Sequence, residues 1–169
     1  MSQSHSTAIG TLTLIQSMLD AGNAEKAFSF IQKHGAHSPE FKNASGVCLL
    51  RLGRVEHATE VLRELVFGKL VCIPRDTPPV FQANYATALL LKKYNQMAIE
   101  IIRSLPVSAH PYIAELRRCV DQWQQKLPLH QRLLCRLNSF PAAAIELPMA
   151  PGALFIPSAE YSSFEQSTW

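Results

Sequence analysis

The sequence contains no run of about 18 consecutive apolar residues, the length that a membrane-spanning helix needs. Residues 1–19 have no lysine or arginine ahead of their apolar positions, whereas a secretory signal begins with such basic residues. The formal net charge of +3 is too small to require a nucleic acid or an anionic membrane as the partner. We therefore expect a cytoplasmic protein that does not associate with membranes.

The sequence also lacks the common motifs of enzymes, cofactor sites and metal sites. The sequence has no glycine-rich phosphate loop, no zinc-hydrolase motif and no serine-nucleophile motif. The four cysteines form no closely spaced pair and stand among apolar residues, so we expect reduced, buried thiols rather than a zinc site. His34 and His37 have a ligand-like spacing, but they flank Gly35, where a helix should end. The sequence therefore predicts no enzyme, no cofactor and no metal site.

A degenerate repeat organises most of the chain, which with 47% apolar residues is long enough for one domain with a full core. Three segments align on an alanine, and apolar residues follow each alanine at i+3, i+4 and i+7, with one histidine as the exception. This spacing is typical of the buried face of an amphipathic helix. The aligned positions are Ala27, Phe30, Ile31 and His34; Ala58, Val61, Leu62 and Leu65; and Ala98, Ile101, Ile102 and Leu105.

An earlier helix is predicted in each unit, because a second pattern at i, i+1 and i+4 precedes each alanine. Its positions are Leu14, Ile15 and Met18; Ser45, Gly46 and Leu49; and Tyr85, Ala86 and Leu89. Turn residues separate the two helices, at Gly22–Asn23, at Gly53–Arg54 and, less clearly, at Tyr94–Asn95. Each unit is therefore a helix, a tight turn and a helix, with small residues where the two helices cross.

These units resemble tetratricopeptide repeats. In that family a large and a small apolar residue in the first helix precede a glycine turn, an alanine in the second helix and a proline that opens the next unit; Pro39 has this last position here. The chain departs from the pattern, because the usual tryptophan is absent, Ile15 replaces a small residue, and the alanines do not keep the family period of about 34 residues. The alternative is a helical bundle with chance self-similarity.

The resemblance covers about residues 8–106 and implies an all-α fold. Its expected form is a right-handed α–α superhelix of three helix pairs, with units at about residues 8–37, 38–70 and 79–106.

A capping helix pair and a tail complete the predicted architecture. Helices are expected at about residues 111–127 and after Pro128, because proline ends or opens a helix. We interpret this pair, residues 109–138, as the cap of a helical domain that covers residues 1–138. Residues 139–169 are predicted to form a proline-rich, non-helical tail, whose frequent aromatic residues indicate an ordered segment that lies against other residues.

The charges of the cap and of the tail are opposite. Residues 112–140 hold five basic and two acidic groups, whereas residues 141–169 hold three acidic groups and no basic one. We expect the tail to pack on its own helices or on a neighbouring chain, the second of which would produce a homo-oligomer. Burial of the aromatic residues would dominate, because surface ion pairs contribute only about 0–1 kcal/mol each.

The concave face of a stacked array, lined by the first helix of each pair, is the usual binding surface of such proteins. The side chains expected there are Gln16, Asn43, Val47, Arg51, Ala83, Thr87 and Leu90. This mixed, mostly apolar set suits a peptide, a helix or the protein's own tail better than a carboxylate clamp, for which only Asn43 and Arg51 qualify. We predict a non-enzymatic protein-interaction scaffold or adaptor; a chaperone-like protein for a secreted or membrane partner is the first alternative.

A basic surface is the second candidate site. Arg117, Arg118, Arg132 and Arg136 lie in the two capping helices, where Arg117 and Arg118 are expected to project outward. Because arginine forks match phosphate oxygens, an RNA-binding helical repeat is the second alternative. No aromatic stacking pattern accompanies these arginines, so nucleic acid is not the expected partner.

Overall fold

The computed structural model describes residues 2–34, 38–106 and 110–157. These residues form eight α-helices and no β-strand, so the all-α prediction is confirmed. The helices are α1 (Ser2–Asp20), α2 (Ala24–His34), α3 (Pro39–Arg51), α4 (Val55–Phe67), α5 (Pro79–Leu91), α6 (Asn95–Ser104), α7 (Pro111–Lys126) and α8 (Leu129–Arg136).

The turns inside the three helix pairs have the same backbone geometry. Gly22, Gly53 and Lys93 have φ angles of 74°, 70° and 62°, and each precedes its aligned alanine by five residues. In all three turns the next amide donates to the carbonyl five residues earlier at 2.9 Å, which closes the end of the first helix. The third turn was predicted one position too late, because Lys93 rather than a glycine or asparagine adopts the left-handed conformation.

Small residues are buried where the helices of a pair cross, as predicted. The three aligned alanines, Ala27, Ala58 and Ala98, are each 0% exposed. At Gly46 of α3 an added Cβ would lie 2.5 Å from Cδ2 of Leu62 on α4, far inside van der Waals contact. Neighbouring helices along the chain pack together, and the first helices also contact one another, α1 with α3, α3 with α5 and α5 with α7.

Not every predicted core position is buried. Leu14 of α1 is 45% exposed. Its equivalent in the third pair, Tyr85, is covered by Phe67 of the preceding pair, against which it packs edge-on. No described helix precedes α1, so Leu14 has no such neighbour. His34, the exception in the apolar pattern, is exposed.

The cysteine prediction is wrong at one position. Cys48, Cys119 and Cys135 are buried, but Cys72 is exposed. Cys72 lies in the connector between α4 and α5. Of its two neighbours in the sequence, Val71 is 98% exposed and Ile73 packs partly on the core. Desolvation by burial raises the pKa of the Cys48 thiol to about 12, so that this thiol stays protonated.

No helix in the described part of the chain is both long and apolar enough to cross a membrane. Beyond α8 the chain forms no further helix as far as residue 157, as its prolines predicted.

Candidate functional site

Residues 139–157, which we call the tail segment, cross the helical domain from α6 and α7 towards α3 and α1. Phe140 lies under the guanidinium of Arg103 on α6, 5.1 Å from the ring centroid, and Ile145 and Leu154 are each only 6% exposed. Pro157 ends the described segment in a shallow pocket that includes Leu12 of α1. We call the surface of α3, α5 and α7 beneath this segment the tail groove.

Two asparagines bind the main chain of the tail segment. Oδ1 of Asn84 on α5 accepts the amide of Ala153 at 2.9 Å, and Nδ2 donates to the carbonyl of the same residue at 2.7 Å. Nδ2 also donates to Oδ1 of Asn43 on α3 at 2.7 Å, and Asn43 donates to the Ala153 carbonyl at 3.4 Å. Both asparagines are 0% exposed. Because one side-chain amide engages both backbone groups, Ala153 is held through its main chain, as in strand pairing.

A chain of hydroxyl groups holds the preceding residue. The amide of Gly152 donates to the hydroxyl of Tyr112 on α7 at 2.7 Å, and this oxygen lies 2.8 Å from Oγ1 of Thr87 on α5. Thr87 donates its single hydrogen to the carbonyl of Ala83, so Tyr112 must donate to Thr87. Desolvation by burial raises the pKa of the Tyr112 phenol, which keeps this donor protonated.

Gly152 is required by both the space and the backbone conformation at its position. Its φ is 84°, in the left-handed region, and an added Cβ would lie 3.1 Å from Val47 and 3.3 Å from Leu50. The carbonyl of Gly152 accepts from Nη2 of Arg51 at 3.4 Å. Nη1 of Arg51 donates to the carbonyl of Leu19 at 3.0 Å, so the same guanidinium joins the tail segment to the last turn of α1.

The first half of the tail segment is held mainly at its start. Nδ2 of Asn95, the first residue of α6, donates to the carbonyls of Pro141 and Ala143 at 2.6 and 2.7 Å. Between these contacts and Gly152 the polar contacts are weak, since Glu146 lies 3.8 Å from Lys126 and both side chains are largely exposed.

The predicted groove residues are only partly brought together. Asn43, Val47 and Arg51 contact the tail segment directly, and Thr87 supports Tyr112. Ala83 and Leu90 are buried in the core cluster that also includes Ile145 of the tail. Gln16 takes no part in the contacts described, because its amide donates to Asp20 one turn later on α1. Of the three occupants considered for this surface, a peptide, a helix or the protein's own tail, the tail segment lies against Asn43, Val47 and Arg51 in the structure.

Sequence reasoning missed three residues of this site, Asn84, Asn95 and Tyr112. A signal for Asn84 was present, because it is an asparagine inside α5, an otherwise strongly apolar helix. A buried side-chain amide in such a helix must find hydrogen-bond partners. Within the helices Asn84 bonds to Asn43, and its other two bonds are to Ala153 of the tail segment.

Two of the four arginines of the predicted basic patch have partners within the protein. Arg117 was expected to project outward, but it donates to the carbonyls of Ile102, Arg103 and Leu105, where α6 ends. These carbonyls have no partner within the helix, so Arg117 closes the helix terminus. Arg118 is exposed and pairs with Glu115 one turn away. Arg132 and Arg136 are both exposed and lie four residues apart on α8.

Within the described ranges no group of three or more histidine, cysteine or acidic residues could hold a metal ion; His37 lies outside them. Comparison of this chain with protein-family models, with curated proteins and with solved structures finds no match.

Proposed function

We propose that this protein is a tetratricopeptide-like repeat, a right-handed superhelix of three helix pairs with a cap, which binds an extended peptide segment of a protein partner in the tail groove. The observation that carries this proposal is the recognition of Ala153 through its main chain by two fully buried asparagines. The tail segment is the occupant of that site in the free protein, and a partner takes its place. The role is that of a scaffold or adaptor, without catalysis.

The contacts define the ligand. Asn84 engages an amide and a carbonyl that nearly any residue carries, so it requires an extended backbone rather than a particular side chain. Selectivity comes from the flanking positions. The preceding residue must be glycine, the following residue fills the site of Leu154, and an aromatic residue next to it packs edge-on against Phe81 with 5.4 Å between ring centroids, as Phe155 does. The expected ligand sequence is therefore glycine, any non-proline residue, leucine and an aromatic residue.

The tail segment is suited to release. It has no helix of its own, its prolines prevent a regular ladder of hydrogen bonds, and Ala142, Ala143 and Ala144 are exposed. Because it belongs to the same chain, its effective concentration at the groove is of the order of millimolar, and a free peptide must exceed this competition.

The test uses the full-length chain and a fluorescein-labelled synthetic peptide with the sequence of residues 145–157. Gly152→Val places a branched side chain against Val47 at a left-handed position, so it detaches the tail without changing the array. We expect the labelled peptide to bind Gly152→Val at least about tenfold more tightly than the wild-type chain, measured by fluorescence anisotropy. Ala150→Val, an exposed substitution two residues away, is the matched control and should behave like wild type.

Hydrogen exchange at residues 152–154 reports whether the tail is detached. Leu154→Asp is a second detaching variant in case Gly152→Val retains the tail. A peptide carrying the same glycine-to-valine change should not bind, and neither should the wild-type peptide bind Gly152→Val/Asn84→Ala. If the tail is detached and the peptide still fails to bind, the proposal is wrong.

The chaperone-like alternative uses the same groove for a longer partner segment and is addressed by the same assay. The RNA-binding alternative is not favoured, because Arg117 and Arg118 have partners within the protein.

A further inference from the structure

Helix α8 presents its apolar side to solvent. Leu129 and Leu133 of α8 and Leu137, the residue that follows its last turn, recur every four residues and are 72%, 50% and 79% exposed. Cys135, which is turned about 200° away from Leu133 on a helix with 3.6 residues per turn, is the buried residue of α8. The capping helix thus packs on the domain through Cys135 and leaves its leucine face exposed to solvent. A surface helix usually buries its apolar face, so an exposed one is typical of a surface that contacts another molecule.

The border of this leucine face is basic. Arg132 and Arg136 are exposed on α8, and residues 127–145 contain no aspartate or glutamate. A second α8 packed on this face would bring like charges together. The complementary partner is therefore a segment that combines apolar or aromatic side chains with acidic ones.

Residues 158–169 of this sequence have that composition, and they lie outside the described residues. They contain Tyr161, Phe164 and Trp169 together with Glu160 and Glu165, and no lysine or arginine. The aromatic residues would cover the leucines, and the two glutamates match the two arginines in number.

The route of the tail segment carries it away from the α8 of its own chain. The segment runs away from the capping helices and reaches Pro157 beside Leu12 of α1, while α8 packs on α7 at the other end of the helix order. We propose that residues 158–169 of one molecule bind the leucine face of α8 on a second molecule, which joins the α1 end of one copy to the α8 end of the next. Such a contact is heterologous, so the same two surfaces allow further copies to add.

Mixing two complementary variants tests this proposal in the full-length chain. Leu133→Gln/Leu137→Gln removes two of the three leucines of the leucine face and keeps the acidic segment, whereas Tyr161→Ser/Phe164→Ser keeps the leucine face and removes two aromatic residues of the segment. Leu133 and Leu137 are both exposed, so the fold should be retained. Leu70→Ser/Val71→Ser, on the exposed connector, is the matched control for loss of surface apolar residues.

Light scattering coupled to size exclusion gives the mass of each sample between about 1 and 100 μM. We expect the wild type and the connector control to increase in mass with concentration, and each of the two double variants to have the mass of one chain. An equimolar mixture of the two variants should form a species with twice that mass, because the intact segment of one binds the intact α8 of the other.

Several results would overturn the proposal. A wild-type protein that keeps the mass of one chain would show that the leucine face does not bind a second copy. The same conclusion holds if that protein binds vesicles of phosphatidylcholine and phosphatidylserine through α8. Association of the wild type without a heterodimer in the mixture would indicate like-to-like pairing of α8. Neither result bears on the tail groove, whose test uses a different segment and different variants.

Discussion

Replacing Asn84 with alanine should uncouple the tail segment from the helical domain. The substitution removes the partner of the Ala153 amide, the main partner of the Ala153 carbonyl and the donor to Asn43 Oδ1. Leaving each of these groups without its partner costs at least about 1 kcal/mol, so we expect the free energy of unfolding to decrease by about 3 kcal/mol.

A double-mutant cycle separates the tail from the rest of this effect. In Gly152→Val the tail is already detached and its backbone groups bind water, so the further change Asn84→Ala should cost only the bond to Asn43, about 1 kcal/mol. The difference predicts a coupling energy of about 2 kcal/mol between positions 84 and 152. Urea unfolding followed by circular dichroism measures all four stabilities, and hydrogen exchange at residues 152–154 reports the tail directly. Equal costs of Asn84→Ala in the two backgrounds would refute the contact as the source of the stability.

Three further substitutions test the repeat turns, the helix crossing and the cap of α7, each by urea unfolding. Lys93→Gly should raise the free energy of unfolding by about 1 kcal/mol, because a side chain at φ 62° is strained, whereas Lys92→Gly, at φ −84°, should lower it by about 0.5–1 kcal/mol; equal effects would contradict this. Gly46→Ala should destabilise the protein by about 1–3 kcal/mol, while Gly10→Ala, also helical but without neighbours within 4 Å, should stabilise it by about 0.5–1 kcal/mol. His110 caps α7, because its Nδ1 accepts the amide of Tyr112 at 3.1 Å and must stay unprotonated to do so. Burial lowers the pKa of His110 below its ordinary value of 6.5. The contribution of this cap to the free energy of unfolding is therefore complete above pH 6.5 and is lost as the pH falls below that value. His110→Asn keeps an N-cap acceptor and should reduce this loss of stability between pH 7 and 5; an unchanged pH dependence would contradict the assignment.

Local patterns in the sequence were sufficient for the helices and for the all-α fold class. The i+3, i+4 and i+7 spacing after Ala27, Ala58 and Ala98 predicted three buried helix faces, and proline and glycine predicted most helix ends. These features are local, because the side of a helix that is apolar and the residues that can begin or end it depend on a few neighbouring residues. The same holds for residues 139–157, where prolines recur and the structure describes no helix.

The site was only partly accessible to such reasoning. The pattern selected Asn43, Val47 and Arg51, which contact the tail segment, and the composition of the tail predicted that it would lie against other residues. The pattern could not show that Asn84 and Tyr112 would meet Gly152 and Ala153, which are distant along the chain. A hydrogen bond between distant residues depends on how whole helices stack, and no local period records it.

Tertiary structure also decided which apolar residues remain uncovered. Leu14 belongs to a predicted apolar stripe of α1 and Leu133 lies on the capping helix α8, yet both are exposed because they lie on the outer faces of the first and last helix pairs. A sequence pattern thus determined which face of each helix is apolar, but only the stacking of the helices determined whether another element covers that face.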